Sequence, residues 1–501
     1  MAGSITLIGL DLGTQGVRAI ATTPAGKVLA SASERYQRIN AAEDPLKEQV
    51  PADWRAAAYN VLADVSAQLR AADALGDVIL GIDGTSGTVV PLDAEGTPLT
   101  NALMYNDARS KPQVAEVHAV CAALEDKLGY LMGSSFALPK ICWIRDEQPD
   151  VFARTATFAH QTDYLVGCLT GNFRVTDYSN ALKTGYDLID ERWPIYEFAK
   201  LGLDASLFAE VVRPGAEIGT ITSAAAEATG LPAGTRVVAG ATDGYSSCVA
   251  TGAVEAGQFN STIGTTLILK GVTSNFIKDP EGRIYCHKHP EGLWYPGGAG
   301  NVGGLCLNEW FGEGRFEMLN KTVPELTPTG ALVYPLTTTG ERFPFVRPDA
   351  EGFALAPSIA MVPQYPDRAE AYKAGSMPVR YAATMEGVAY VERLCFDTLA
   401  QLGCEVGDEI TIAGGAAKAP VWSQVRANVL GKRLVEPANV EAAFGTAVMA
   451  GTVLLERTLT ESAREMVQIS RSFEPEGDMH DEYDGLYEEF CGECRSRGWI
   501  D

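Results

Sequence analysis

The sequence lacks an apolar run long enough to cross a bilayer. Its longest stretch of apolar and small residues, Ala443 to Leu455, is 13 residues, against the ~20 that a spanning helix requires. Positive charge is also short: 40 Lys plus Arg stand against 64 Asp plus Glu, a formal net charge of −24. A surface of that sign repels phosphate backbones and anionic lipid, so neither nucleic acid nor a membrane is an expected partner. Cysteine is sparse and scattered, ten in 501 residues, which gives no disulfide framework and points to a reducing, cytoplasmic setting. The opening MAGSITLIGLDLG has no basic n-region or small-residue cleavage site and runs straight into a glycine turn, so it reads as fold and not as a leader. Low complexity is absent as well, because the 51 Gly and 26 Pro are spread through a chain that is 46% hydrophobic. What remains is a globular chain, long enough for two or three domains of ~150 residues, each able to bury its own core.

The first 32 residues read as strand, glycine turn, strand, polar turn, strand: ITLIGL at 5–10, GTQG, VRAIAT at 17–22, Pro24-Ala25-Gly26, then VLASAS. From Asp53 onward, Trp54, Ala58, Val61, Leu62, Val65 and Leu69 recur at helical spacing. VILGID at 78–83 follows as a buried strand. The order predicts a mixed α/β sheet covered by helices. About 250 residues on, RVVAG at 236–240 precedes Asp243-Gly244, and QFNSTIGTTLILKGV at 258–272 repeats strand, Gly-Thr turn, strand. EITIAGGAAKAPVWSQVRANVLGKRLVEP at 409–437 then reads as strand, glycine turn, helix with Trp422, Val425 and Val429 inward, and strand. Two related halves are expected, residues 1–253 and 254–456, followed by an acidic helix or tail at 457–501 that is solvated.

Three glycine turns and two acids suggest the chemistry. In GLDLGTQG at 9–16, a strand delivers Asp11 and turns through Gly13, Thr14, Gln15 and Gly16. Exposed amides beside a carboxylate suit a phosphate and its magnesium, while a hairpin turn whose acid accepts backbone hydrogen bonds is the plainer alternative. The pattern is neither a P-loop nor the dinucleotide fingerprint, since no Gly-Lys-Ser/Thr follows and a strand succeeds the turn, which removes support for a nicotinamide oxidoreductase. Gly264-Thr265-Thr266 offers a second phosphate cradle, and Gly414-Gly415-Ala416 a close backbone approach to an adenosine or else a tight packing turn. Asp243, at the end of a buried strand, fits a base that accepts the proton of an alcohol during phosphoryl transfer, or a helix N-cap.

These segments resemble the FGGY carbohydrate kinases, and the likeness covers nearly the whole chain. It includes GLDLGTQG, GTSGTVVPLDAEGTPLTNALMYNDAR at 84–109, KICWIRDEQP at 140–149, TDYSNALKTGYD at 176–187, AGATDG at 239–244, STIGTT at 261–266, MEGVAY at 385–390 and AGGAAKAPVWSQVRANVLG at 413–431. The resemblance implies a duplicated, two-lobed α/β fold of the actin, hexokinase and chaperone-ATPase type with an interdomain cleft, ATP and Mg2+ as cofactors, and a small-molecule ketose as substrate. It makes Asp243 the catalytic base, with Asp11 and Asp243 toward magnesium and substrate. Gly13, Thr14, Gln15, Gly264, Thr265 and Thr266 fall to phosphate, and Gly414, Gly415 and Ala416 to the nucleotide. Ser86, Gly87, Asp107 and Lys183 fall to the sugar, Lys183 having a solvated surface lysine as its alternative. Ala137 and Asn428 depart from the family's usual residues. Xylulokinases typically carry Met-His where this chain has Ser86-Gly87, and the Thr-Ser-Gly-Thr form is more similar to the D-ribulokinase branch.

The expected activity is therefore ATP-dependent phosphorylation of a ketopentose at a terminal hydroxyl, D-ribulose first, with D-xylulose or another sugar or polyol as the alternative. A non-catalytic nucleotide-binding protein of the same fold is the competing class; the retention of both acids and both cradles, and the chain's end about 45 residues after its last α/β segment, argue against it. A homodimer is left open. Cys286-His287-Lys288-His289 holds metal-ligand residue types without a second pair at zinc spacing, so a structural or sugar-site role is expected. Cys491 and Cys494 read as an incidental surface pair.

Overall fold

The structure, a computed structural model, describes residues 5–36, 46–357, 367–454 and 457–501. The first four residues, where no leader was read, lie outside this range, as do Leu455 and Glu456, where the second half was expected to end. The chain divides into two compact units. Unit 1 holds the chain up to Val254, together with His287–Leu293 and Asn439–Gln468; unit 2 holds Glu255–Cys286, Trp294–Ala438 and Ile469–Asp501. The expected continuous second half, 254–456, is thus interrupted twice, because segments distant in sequence return to complete unit 1.

In unit 1, β1 (Ile5–Leu12), β2 (Gly16–Thr22) and β3 (Val28–Arg35) form an antiparallel meander, as the alternation of turns and apolar runs predicts. Helix α1 (Pro51–Ala71) has Pro at its first turn, where no amide bond is lost, and buries Trp54, Ala58, Val61, Leu62, Val65 and Leu69. Strand β4 (Asp77–Gly84) then pairs parallel with β1. Helices α2 (Ala137–Glu147) and α3 (Gln161–Thr170) lead on to β5 (Glu217–Thr220) and β6 (Arg236–Thr242), and α4 (Asp243–Ala250) follows directly. Among the described residues the sheet order is β5-β6-β4-β1-β2-β3.

Unit 2 repeats the scheme. β7 (Phe259–Ile263) and β8 (Leu267–Gly271) form the hairpin; β9 (Ile284–Lys288) and β10 (Trp294–Ala299) extend it. After α5 (Met377–Gln401), β11 (Glu409–Ala413) pairs parallel with β7, α6 (Pro420–Leu430) turns Trp422, Val425 and Val429 inward, and β12 (Arg433–Pro437) pairs parallel with β11. The sheet order is β9-β10-β8-β7-β11-β12, closed by Ile469–Phe473. In both units a hairpin is flanked by parallel strands, the relationship expected of duplicated halves.

The apolar run near 443–455 is the helix Ala442–Leu454 of unit 1, and no helix among the described residues is long and apolar enough to cross a membrane. The reading of the C-terminal end is corrected. The acidic end is not a solvated tail. Its helix Gly477–Ser496 buries Tyr483, Tyr487, Phe490, Cys491 and Cys494 in the core of unit 2, so Cys491 and Cys494 are core thiols and not a surface pair. No disulfide links any of the ten cysteines, all of which lie among the described residues.

A fully buried ion pair stiffens unit 2 beneath the hairpin turn. Arg426 on α6 donates from Nε and Nη2 to Glu392 on α5, both at 2.7 Å, and from Nη2 to Ser261 Oγ on β7 at 3.0 Å. A guanidinium fork matched to a carboxylate is the geometry in which such a pair is best satisfied.

Candidate active site

Strand register builds an acid cluster in unit 1. Asp11 on β1 stands opposite Arg18 on β2 and beside Asp83 on β4. Burial pushes the Asp11 carboxyl above the usual range, while a hydrogen bond with Asp83 and the charge of Arg18 oppose this. Asp83 is fully buried and held well above that range, first by burial and then by the neighbouring Asp11. Thr446, from the returning helix, donates to Asp83 and shares a 3.0 Å hydrogen bond with Ser246 on α4.

Asp243 is the first residue of α4, and Thr242 occupies the N-cap position, so the N-cap alternative for the acid itself falls away. Its charge reaches Asp83, and its Oδ1 accepts from the Gly244 amide at 2.7 Å. The strand end before it is fixed by a relay within TDYSNALKTGYD. Asp177 accepts from Ser179 Oγ at 2.6 Å, and Ser179 Oγ accepts from the Thr242 amide at 2.8 Å.

The first glycine turn is closed by Gly13 N to Gly16 O at 3.0 Å and held from behind by Gln49 Nε2 to Thr14 O at 2.8 Å and by Tyr36 N to Gln15 O at 3.0 Å. Asp11, Gly13, Thr14, Gln15 and Arg18 line a groove of about 430 Å³. Arg18, ion-paired with Glu441, adds the cation that a phosphate calls for. In unit 2 the other two turns meet: a Cβ at Gly414 would lie 2.5 Å from the Ile263 carbonyl, at the entrance to Gly264-Thr265-Thr266. Gly303 and Gly304 back that turn, with Gly304 N donating to Gly264 O at 2.8 Å.

The GTSGT segment forms a separate wall in unit 1. Thr85 N and Oγ1 donate to Gln161 Oε1 at 2.9 and 2.6 Å, which pins the loop to α3. Ser86 Oγ is buried and has no hydrogen-bond partner among the described residues. Gly87 has φ +77, and a Cβ there would meet the Ser135 carbonyl at 2.4 Å. Lys183 is not a solvated lysine: it is 9% exposed, with Nζ 4.3 Å from the centre of the Phe136 ring. Asp107, expected at the sugar, instead accepts from Arg109 Nε and Nη2 at 2.8 Å each and from the Lys47 amide at 2.7 Å, so its carboxylate serves the protein.

Sequence reasoning missed Asp83, Arg18, Thr446 and the Gly303-Gly304 pair. A signal for Asp83 existed, since LIGLD, VILGID and VVAGATD are three apolar strands each running into an acid. In the Cys286–His289 segment, His289 is buried, its pKa pushed down to about 4 by that burial, and Nδ1 accepts from Glu291 N at 3.1 Å. Among the described residues no cluster of three or more His, Cys, Asp or Glu is placed to hold a metal ion. Asp11 Oδ1, however, is buried and without a hydrogen-bond partner among those residues, an oxygen of the kind that a magnesium ion takes while keeping water and phosphate as its other ligands.

Two family models match the chain: the N-terminal domain of the FGGY family of carbohydrate kinases over residues 6–250, and its C-terminal domain over 260–454. The chain belongs to the FGGY carbohydrate kinase family. FGGY kinases are phosphotransferases that use ATP as the phosphate donor. This kinase is 27% identical to a xylulose kinase of Bacillus subtilis over 96% of its own length and 95% of the relative's. It is 25% identical to an autoinducer-2 kinase of an Enterobacter species, covering 97% and 93%. It superposes on a xylulose kinase structure from Rhodospirillum rubrum with a TM-score of 0.84 at 25% identity over 98% of both chains. The FGGY fold also extends to a gluconate kinase structure from Lactobacillus acidophilus, with a TM-score of 0.83 at 20% identity over 98% of both chains.

Proposed function

We propose that this chain transfers the γ-phosphoryl group of ATP to the terminal hydroxyl of a five-carbon ketose, D-ribulose before D-xylulose. Asp243 takes the hydroxyl proton as the oxygen bonds to phosphorus and the bond to the β-phosphate bridge breaks, releasing ADP. Magnesium, when bound on the side of Asp11, supplies the charge that neutralises the phosphate oxygens. The amides and hydroxyls of residues 13–16 and 264–266 orient phosphate, and Gly414, Gly415 and Ala416 take the nucleotide. Asp11, Ser86, Gly87 and Lys183 belong to the sugar side, and Asp107 supports it through Arg109.

The observation that carries the sugar assignment is the wall at Ser86-Gly87. A left-handed Gly87 pressed on the Ser135 carbonyl leaves no room for the imidazole of a Met-His pair, while Ser86 presents a buried hydroxyl with no partner among the described residues. A hydroxyl of that kind favours the epimer able to meet it, because a buried polar group left unpaired costs ~1–3 kcal/mol. D-xylulose stands as the second reading because relatives across 96% of the chain carry the name xylulose kinase.

Side-by-side specificity constants for D-ribulose, L-ribulose, D-xylulose, L-xylulose and ribitol test the proposal. A clear win for D-xylulose moves the assignment to the second reading. No sugar-stimulated ADP release from any ketose, polyol or gluconate rejects the kinase activity itself.

A further inference from the structure

Lys140 is 0% exposed, in the first turn of α2, and its neighbours are backbone oxygens. Its Nζ lies 2.6 Å from Ser134 O, 3.1 Å from Phe136 O and 3.5 Å from Tyr105 O. Among the described residues no carboxylate lies within ion-pair distance of it. An ammonium carries three donors and no acceptor, so one side chain gathers three carbonyls from two separate loops.

Those loops are the two that flank Gly87. The Ser135 carbonyl, between two of the gathered oxygens, is the atom a Cβ at Gly87 would strike at 2.4 Å, and Tyr105 Cβ would lie 3.8 Å from it. Phe136, whose carbonyl Lys140 holds, carries the Lys183 ammonium over its ring. Gly87 and Lys183 therefore both lean on segments fixed by one buried cation.

We propose that Lys140 is the positioning residue of the sugar wall: its ammonium ties residues 105 and 134–136 together and so sets the space beside Gly87 and the place of Lys183. The inference rests on the reading of Ser86-Gly87 as the sugar side. Lys140 touches no reacting atom, and its effect falls on sugar affinity, leaving the phosphoryl chemistry of Asp243 intact.

Its protonation is part of the device. Burial pushes the Lys140 pKa down to about 7; Asp107, on the loop before Arg109, opposes the fall, and the Lys183 ammonium adds to it. The neutral amine keeps two N–H donors for three carbonyls, so above about pH 7 the wall loses a tie.

Kinetics of the full chain on the ketose panel, with hydrogen exchange as an independent readout, test the proposal. Lys140→Met is expected to raise the KM for the pentulose at least ~10-fold, with kcat and the KM for ATP held within about threefold. Amides of residues 105–107 and 133–136 should exchange faster, while those of the Gly13–Gly16 turn do not change. Unchanged exchange together with an unchanged sugar KM overturns the proposal, as does a loss confined to kcat. If the wild type turns over no ketose yet Lys140→Met still loosens both loops, the pentulose reading fails and the tie stands. Should the variant not fold, the wild-type pentulose KM between about pH 6 and about pH 9 decides: a rise above neutrality that the KM for ATP does not share supports Lys140, and a flat profile overturns it.

Discussion

Asp11 and Asp83 occupy matching positions on adjacent parallel strands, and the second is sealed from solvent. Two acids so placed cannot both ionise cheaply, so burial and the proximity of Asp11 keep the proton on Asp83. A raised acid retains its proton in the folded chain at a pH where the unfolded chain has lost it. Stability therefore falls as pH climbs from the unfolded value through the folded one. Asp83→Asn removes that titration. Its melting temperature should pull ahead of the wild type as pH rises from about 4 toward neutrality, by about 2–4 °C for each kcal/mol relieved. Equal pH slopes in calorimetry count against it.

Asp243→Asn should lower kcat by at least ~100-fold, the lower range for loss of a positioned base. ATP binding, measured by titration calorimetry, should survive. Near-normal turnover assigns the proton acceptor elsewhere.

Ser86→Ala is expected to erode the preference between D-ribulose and D-xylulose by about ten- to a hundredfold, with the KM for ATP little changed. Gly87→Ala should raise the KM for the sugar and lower the melting temperature together, because the added methyl meets the Ser135 carbonyl at a left-handed position. Competing-substrate assays and thermal melts check the pair.

Arg426→Met leaves Glu392 buried without its partner and should cost ~3–5 kcal/mol in denaturant unfolding. The double variant Arg426→Met, Glu392→Leu should recover much of that loss, since apolar groups of similar volume replace a buried pair with little penalty. Additive losses would show that the two side chains are not energetically coupled.

Local pattern made much of this legible. The opening meander, the Trp54 to Leu69 face and the strand, turn and helix around Gly414 follow from period-2 and period-3.6 alternation, which depends on neighbours in sequence. Asp83 escaped because its meaning comes from register: only the pairing of β4 with β1 sets it beside Asp11. The charge of the terminal helix hides its buried face, although Tyr483, Tyr487, Phe490 and Cys494 hold a helical stripe beneath the acids. Asp107 carries the right residue type, but the fork of Arg109, two positions on, claims its oxygens.

Unit 1 is assembled from three stretches of chain, and the last, Asn439–Gln468, supplies the helix whose Thr446 holds Asp83. During vectorial synthesis the acids of β1 and β4 are made more than 350 residues before that hydroxyl. Until it emerges, the nascent sheet has an unroofed face and Asp83 lacks that donor, so the first half of the polypeptide waits for the second in order to mature. Fragments ending near Val254 should accordingly be caught by chaperones or aggregate, and an insertion between residues 254 and 438 delays the maturation of acids that it never touches.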